Sequence, residues 1–211
     1  MPTEASARRM PPLAGLVLAG GESRRMGRDK AALEFGGKSQ LERTFALLSR
    51  HLPDVFVSVR DSQRLDPLRA RFPQLVDAPA PEGIEFSGPI AGVLGAFASR
   101  PDHAWLVVAC DLPLLDDAAV VGLLVGRDSS AVATAYTSAH DGLPEPLCAI
   151  WEPHSAARLA AHAAGGNLCP RKFLLRNGAA LLPARQSVSV NVNTPAELAD
   201  AASAVAATSP A

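Results

Sequence analysis

A segment rich in glycine and arginine, Leu18-Ala-Gly-Gly-Glu-Ser-Arg-Arg-Met-Gly-Arg-Asp-Lys30, carries the residues best suited to binding an anion. Its three glycines let the backbone curl so that N–H groups converge, while two adjacent arginines and the final lysine add positive charge. The spacing fits neither G-x-x-x-x-G-K-[ST] nor G-x-G-x-x-G. We expect this loop to bind the phosphates of a nucleoside triphosphate; the alternative is an ordinary turn with solvated charges.

Asp111 is the second candidate because it follows the apolar run from Ala104 to Ala109. A run that is apolar throughout predicts a strand buried on both faces of a sheet, which puts Asp111 at the carboxyl end of that strand. Mg²⁺ prefers oxygen ligands and is usually held by one or two carboxylates together with phosphates. Asp111 is therefore a candidate magnesium ligand, or alternatively a cap on the following turn.

Further turns could contact the rest of a nucleotide or a second substrate. Asp77 ends a short predicted strand and precedes the turn Gly88-Pro89-Ile90-Ala91-Gly92. Its carboxylate could accept hydrogen bonds from the N1–H and N2–H₂ groups of a guanine. Asn191 and Asn193 are two positions apart near the end of another predicted strand, so both side chains are expected to point outward on the same side. Arg171 precedes an apolar helix and either reaches a phosphate or is solvated. The Asp77 and asparagine segments also fit plain connections between elements.

The pattern of the whole chain predicts strands that alternate with helices. We predict strands at 13–19, 54–60, 75–77, 104–109, 131–137, 147–151 and 188–192, and helices at 39–52, 62–72, from Pro89, at 118–125, 154–164 and 171–176, and from Pro195. Because most strands are apolar throughout, we expect an α/β fold of three layers: a Rossmann-like, open, mostly parallel twisted sheet with helices on both faces. Ligands of such sheets bind beyond the carboxyl ends of the strands.

Composition limits the remaining possibilities. The 211 residues, 48% hydrophobic and 19% charged, suit one domain, for which we expect residues 13–205 with tails at 1–12 and 206–211. The net charge of -1 argues against nucleic acid or a membrane surface as partner. Three widely spaced cysteines and five histidines show no metal or disulfide spacing. We expect buried or partly buried free thiols, histidines in turns or at the surface, and a soluble cytoplasmic protein.

The glycine-rich segment resembles the L-A-G-G-x-S-x-R-M-G-x-D-K motif of the molybdenum cofactor guanylyltransferases of the MobA type, within the Rossmann-like nucleotidyltransferases. Further motifs follow in the order of that family, over about residues 13–203: Asp77, Gly88-Pro89-x-Ala-Gly92, Cys110-Asp111-x-Pro113, Pro146-Leu147 and Asn191-Val-Asn193-Thr-Pro195. The resemblance implies the fold of the nucleotide-diphospho-sugar transferases. It also implies a Mg²⁺-dependent nucleotidyltransferase.

The implied reaction transfers GMP from GTP to the terminal phosphate of molybdopterin or the molybdenum cofactor, releasing pyrophosphate and forming the guanine dinucleotide cofactor. Combined with the patterns above, the resemblance gives three sets of residues: nucleotide binding by Leu18, Ala19, Gly20, Gly21, Lys30, Asp77, Gly88, Pro89, Gly92 and Asp111; catalysis by Arg25, Lys30 and Asp111, with Asp111 as the Mg²⁺ ligand; and substrate binding by Asn191, Asn193 and Arg171. It further implies transient contact with molybdoenzymes or cofactor-handling proteins.

Departures from the family pattern keep alternatives open. Related cytidylyltransferases tend to carry L-A-A-G in the first motif, so Gly20-Gly21 favours GTP over CTP. Ser58 and Arg60 stand where family members often carry Asn, and the loop from Ala78 to Gly88 is long, so the region expected to bind the base departs from the family pattern. One alternative is a transferase of the same fold that uses CTP or another phosphorylated acceptor such as a sugar phosphate. Another is a non-catalytic nucleotide-binding protein that delivers the cofactor.

Overall fold

Seven strands form one sheet in the computed structural model, which describes residues 10–19, 29–79 and 88–189. The strand order is β5-β4-β1-β6-β8-β7-β9, with β1 at Leu13–Leu18, β4 at Val55–Val59, β5 at Gln74–Val76, β6 at Ala104–Ala109, β7 at Ala133–Thr137, β8 at Pro144–Trp151 and β9 at Ala180–Leu182. In this sheet β8 runs antiparallel to both neighbours, and the other pairings are parallel. The predicted open, mostly parallel sheet is confirmed.

Helices cover both faces of this sheet: α1 (Gln40–Ser49), α2 (Pro89–Ser99), α3 (Asp117–Val125), α4 (Ala156–Ala164), α5 (Pro170–Asn177) and the short α6 (Gln186–Ser189). Alternate residues of β6 enter two separate cores. Leu106 and Val108 pack with α1 and α3, whereas Trp105 and Val107 pack with α2, α4 and α5. Every residue of β6 is buried, as expected of a strand with helices on both faces. The fold therefore has the three predicted layers.

The carboxyl ends of the central strands lie level with one another. Leu18 of β1 pairs with Ser58 of β4 on one side and with Ala109 of β6 on the other. Ser58 in turn pairs with Leu75 of β5. The residues that follow these four positions consequently share one edge of the sheet, where ligands of this architecture bind.

A small hairpin, β2 (Glu34–Phe35) and β3 (Lys38–Ser39), precedes α1. Gly36 and Gly37 form its two-residue turn with φ of 58° and 76°, values that glycine adopts without strain. Ser39 then caps α1, because its hydroxyl accepts from the N–H of Glu42 while the Glu42 carboxylate accepts from the N–H of Ser39. The hairpin was not among the predicted elements, although Gly-Gly between short runs is a recognised hairpin signal.

The helix predicted at 62–72 is wrong. The structure has two separate 3₁₀ turns instead, Asp61–Gln63 and Arg69–Arg71. Pro67 lies between them and disfavours helical backbone at Asp66. The Asp66 carboxylate accepts from the backbone N–H of Arg69, so the second turn begins anew after the proline.

The strand predicted at 188–192 is also wrong at its start, because Val188 lies in α6. The N–H of Val188 bonds to the carbonyl of Arg185, and its buried side chain packs in the same core as α1 and α3. Residues 190–192 and the predicted helix from Pro195 lie outside the described residues, as does the predicted domain boundary at 205. Strand β9, which was not predicted, forms the parallel partner of β7.

None of the helices in the described ranges has the length and apolar character needed to cross a bilayer.

Candidate active site

Lys30 and Asp111 meet at the edge formed by the carboxyl ends of the strands. Asp111 follows β6 by one residue, Cys110, whose N–H bonds to the carbonyl of Leu18. Lys30 opens the 3₁₀ turn Lys30–Ala32, and its Nζ lies 2.9 Å from Asp111 Oδ2. Each side chain retains 22% exposure, so the pair is accessible from solvent. The structure thus brings the predicted phosphate-binding lysine and the predicted metal-binding carboxylate together.

The Asp111 carboxylate has the chemistry that a magnesium ion requires. It is an oxygen donor at a solvent-accessible strand end, beside a lysine that can neutralise phosphate charge. Within the described ranges there is no cluster of three or more His, Cys, Asp or Glu side chains able to hold a metal. A single carboxylate suits Mg²⁺, which is commonly held by one or two carboxylates and by the phosphates of the nucleotide.

Asp77 lies along the same edge, directly after β5, which is separated from β6 by β4 and β1. Its N–H bonds to the carbonyl of Val59, and Ser58 donates a hydrogen bond of 2.5 Å to its Oδ1. Burial raises the pKa of Asp77, and the bond from Ser58 and the positive charge of Arg60 act in the opposite direction. Ser58, which sequence comparison singled out only as a departure from the family pattern, therefore orients the predicted base-binding carboxylate.

The start of α2 packs closely behind Asp77. Gly88 caps this helix with φ of 92°, a conformation that favours glycine, and Pro89 occupies the first turn. A Cβ on Gly92 would collide with the Ser58 hydroxyl and lie 2.7 Å from Leu18 Cδ2. The predicted residues Leu18, Asp77 and Gly92 are thus part of one packed unit.

Arg171 is engaged by protein carboxylates. Its guanidinium lies 2.9 Å from Asp141 Oδ2 and 3.0 Å from Glu145 Oε2. Glu145 is near the start of β8, and the antiparallel pairing of β8 with β6 places that start at the edge that holds Asp111. Arg171 is therefore at the expected edge, and its contact with a substrate phosphate stays a prediction.

Ala19, a predicted nucleotide-binding residue, is buried beside Arg69. The sequence analysis did not single out Arg69 as a candidate site residue. The Arg69 guanidinium bonds to the Ala19 carbonyl and to both carboxylate oxygens of Asp29. Its sequence context, a charged stretch of Arg and Asp between two strands, gave no signal that this side chain is buried. The remaining predicted residues, Gly20, Gly21, Arg25, Asn191 and Asn193, lie outside the described residues.

The cysteines agree with the expectation of free thiols: Cys110 and Cys148 are buried and Cys169 is partly buried. Burial raises the pKa of Cys110 to about 12, with the negative charges of Asp111 and Asp29 adding to the effect. Although Cys110 is next to Asp111, it is not a reactive thiolate. The histidines are less uniformly exposed than expected, since the Nε2 atom of His162 is buried and its ring packs edge-on against Phe173.

Comparison with known proteins places the chain in a family. A molybdenum cofactor guanylyltransferase from Pseudomonas paraeruginosa is 33% identical over 196 residues, which cover 90% of this chain and 94% of the relative. A molybdenum cofactor biosynthesis bifunctional protein from Synechocystis is 35% identical over 185 residues, covering 87% of this chain; the chain spans about half (52%) of the length of that relative.

A solved structure shares the fold. The molybdopterin-guanine dinucleotide biosynthesis protein A of Archaeoglobus fulgidus aligns with a TM-score of 0.76 at 22% identity, covering 92% of this chain and 100% of its own. The model of the MobA-like NTP transferase domain matches residues 15–181, which include most of β1, all of β6, Lys30 and Asp111. The chain belongs to the family of MobA-like NTP transferase domains.

Proposed function

We propose that this protein transfers GMP from GTP to the terminal phosphate of molybdopterin or its molybdenum-loaded form. The observation that carries the proposal is the contact between Lys30 and Asp111 at the carboxyl edge of the sheet. Lys30 is the last residue of the segment that resembles the family's nucleotide-binding motif. Relatives named as guanylyltransferases for this cofactor, aligned over 90% of the chain, support the same reaction.

In the proposed reaction an oxygen of the acceptor phosphate attacks the α-phosphorus of GTP. A P–O bond forms there, the bond between the α-phosphorus and the bridging oxygen breaks, and pyrophosphate leaves. A phosphate monoester is largely ionised near neutral pH, since its second pKa is about 6, so the acceptor needs no general base from the protein. The task of the protein is then to position the two substrates and to neutralise their charge.

Lys30 and Asp111 divide this task. The ammonium group of Lys30 neutralises phosphate charge, with Arg25 in a supporting role predicted from the sequence. Asp111 would hold Mg²⁺, which when bound supplies positive charge to the phosphates of the nucleotide. The distance of 2.9 Å between Lys30 Nζ and Asp111 Oδ2 supports the proposal that both groups act on the same phosphates.

Asp77 is the proposed guanine-binding residue. An ionised carboxylate accepts hydrogen bonds only, which matches the two donors, N1–H and N2–H₂, on one edge of guanine. Ser58 bonds to one oxygen of this carboxylate and so fixes its orientation. Cytosine offers a different set of donors and acceptors along its edge, so this arrangement supports GTP over CTP.

The proposed location is the cytoplasm, since the protein carries three unpaired thiols and its proposed substrate GTP is abundant there. Molybdoenzymes or cofactor-handling proteins are the proposed recipients of the product.

Two measurements test the proposed function. The first is the thermal shift produced by GTP, CTP, ATP and UTP with and without Mg²⁺, because a ligand of the native state raises its stability. The second is pyrophosphate release with GTP and a panel of acceptors that includes molybdopterin and sugar phosphates. We expect the largest shift with GTP and Mg²⁺ and release with the pterin only. Release with a sugar phosphate alone would contradict the proposed acceptor, and binding without release would indicate a delivery protein.

A further inference from the structure

Arg69 is buried at the edge that carries the candidate site, although it comes from the connection between β4 and β5. Only 1% of the residue is exposed. Its Nε and Nη2 atoms donate to the Ala19 carbonyl at 3.0 Å and 2.6 Å. Ala19 is the residue directly after β1, so Arg69 holds the chain at the point where it leaves the sheet.

The same guanidinium holds the chain where it returns. Nη1 and Nη2 of Arg69 lie 2.7 Å and 3.0 Å from the two carboxylate oxygens of Asp29, a bidentate geometry that fixes orientation as well as distance. Asp29 Oδ1 also accepts from the N–H of Ala31 at 3.0 Å and so caps the 3₁₀ turn Lys30–Ala32. Arg69 therefore sets the backbone from which Lys30 reaches Asp111.

Asp66 keeps Arg69 in place. Its Oδ1 accepts from the backbone N–H of Arg69 at 3.0 Å and from Nη1 at 3.1 Å. Burial alone would lower the pKa of Arg69, but its bonds to Asp29 and Asp66 outweigh this effect and raise the pKa. The guanidinium is thus permanently charged and held by partners on three sides.

Such a network is a poor way to gain stability, because the cost of removing charges from water offsets most of the attraction between them. Its geometric effect is large, since one rigid group fixes two chain positions, Ala19 and Asp29, that flank the glycine-rich segment. The last four residues of β1, 15–18, are already held by sheet pairing on both sides. The contacts of Arg69 fix the position of the backbone at Ala19, directly after that pairing ends.

We propose that Arg69 is a positioning residue for phosphate binding. By donating hydrogen bonds to both Ala19 and Asp29, it holds Lys30 and the two flanks of the glycine-rich segment in the positions needed to bind the triphosphate. This inference rests on the proposed nucleotidyl transfer. Arg69 itself does not touch the nucleotide, and its influence on the base pocket at Asp77 is expected to be small.

The test compares Arg69→Lys with a matched control, Arg127→Lys. The side chain of Arg127 is also buried, with 4% exposure; it pairs with both oxygens of Glu152 at 2.6 Å and 2.9 Å and donates to a backbone carbonyl, that of Pro11, at 3.0 Å. Pro11 precedes β1, so this network lies at the opposite edge of the sheet. In both variants lysine keeps the charge but loses the bidentate geometry.

For each protein the dissociation constants of GTP and of guanosine are measured in the presence of Mg²⁺, together with the melting temperature. Both variants should melt at a lower temperature than the parent. Only Arg69→Lys should bind GTP about 10- to 100-fold more weakly, the size of effect that follows from misplacing a binding group by about 1 Å. Its affinity for guanosine should stay within about twofold of the parent value, because the proposed base-binding carboxylate, that of Asp77, is held by Ser58.

Equal losses for GTP and guanosine in Arg69→Lys, or no loss for either, would overturn the inference. If that variant does not fold, Asp66→Asn serves instead: it weakens the hold on Arg69 and should cause a smaller loss of the same selective kind, whereas unchanged GTP affinity would overturn the inference. A parent protein that prefers CTP contradicts the proposed function alone, since the comparison then runs with CTP and cytidine. A parent that binds the triphosphate no better than the nucleoside contradicts both.

Discussion

Lys30 Nζ lies 2.9 Å from Asp111 Oδ2 although the two residues are 81 positions apart in the chain. Lys30 follows the glycine-rich segment after β1, and Asp111 follows β6, the neighbouring strand. Parallel pairing of these strands brings the two side chains to one edge, so the contact is a direct consequence of the sheet order.

Replacing Asp111 by Asn should lower turnover at least about a hundredfold, because the amide no longer carries the charge that holds a divalent cation. The fold should survive, since the side chain is partly exposed and lies at a strand end. The measurement is the rate of pyrophosphate release as a function of Mg²⁺ concentration, with circular dichroism as the check on folding. A variant with near-normal, Mg²⁺-dependent turnover would rule out Asp111 as the metal ligand.

Replacing Lys30 by Ala should reduce turnover about 10²- to 10³-fold, the usual cost of deleting one donor to a transition state. The same change should cost little stability, because a pair with this much exposure contributes about 0 to 1 kcal/mol. Urea unfolding of Lys30→Ala, Asp111→Ala and the double variant gives the coupling energy. A coupling of several kcal/mol would mean that the pair is structural rather than functional.

The preference for GTP should weaken at acidic pH. Burial raises the pKa of Asp77, and its carboxylate can accept from both N1–H and N2–H₂ of guanine only when ionised, so the preference should fall as the pH drops through this raised pKa. Because the folded state holds this proton at a higher pH than the unfolded chain, protonation of Asp77 favours the folded state and does not itself cause unfolding.

The variant Ser58→Ala sharpens this test. Removing the hydrogen bond from Ser58 removes an influence that lowers the pKa of Asp77, so the loss of preference should begin at a higher pH than in the parent. The readout is the ratio of the dissociation constants of ATP and GTP between pH 4 and pH 8, with melting temperatures recorded in parallel. An unchanged or lower midpoint in Ser58→Ala would show that Asp77 does not control the preference.

Gly92→Ala should destabilise the protein by about 1 to 3 kcal/mol, the typical cost of overpacking a filled core. The added Cβ would collide with the Ser58 hydroxyl and crowd Leu18, so GTP binding should weaken as well. Gly165→Ala is the matched control, because a Cβ there meets its nearest neighbour at an ordinary 3.5 Å. The prediction fails if chemical denaturation gives the two variants equal stability.

Cys169 should react with iodoacetamide well before the other two thiols. Burial raises the pKa values of Cys110 and Cys148 to about 12, so near neutral pH both are protonated as well as inaccessible. Cys169 is partly exposed. Peptide mapping after timed labelling identifies the modified residue, and Cys169→Ser should remove the fast phase. Rapid modification of native Cys110 would contradict the packing around Asp111.

The apolar strands and the residues that end them were predictable from the sequence. β1 and β6 are buried on both faces, and this leaves a continuous apolar signal that marks both the strand and its end. The end of β6, shortly before Asp111, was therefore predicted correctly, and the loop that contains Lys30 was predicted correctly to follow β1. The two-residue strands β2 and β3 and the three-residue β9 were missed because so few residues show no periodicity.

The roles of Arg69 and Ser58 could not be predicted from the sequence. The burial of Arg69 depends on Asp29 and Ala19, which are 40 and 50 positions away, and no local pattern encodes such contacts. Ser58 contacts Asp77 only because β4 and β5 pair in one particular register. Both residues act through other residues of the site, which is why motifs of directly binding residues do not reveal them.

The most direct test of the central claim follows the α-phosphate. The protein is incubated with GTP labelled at the α-phosphorus, Mg²⁺ and freshly prepared molybdenum cofactor, and the products are separated and identified by mass. We predict that the label moves into a guanine dinucleotide form of the cofactor, with one pyrophosphate released for each transfer. Label that stays in GTP, or faster transfer from CTP under the same conditions, would contradict guanylyl transfer as the function of this protein.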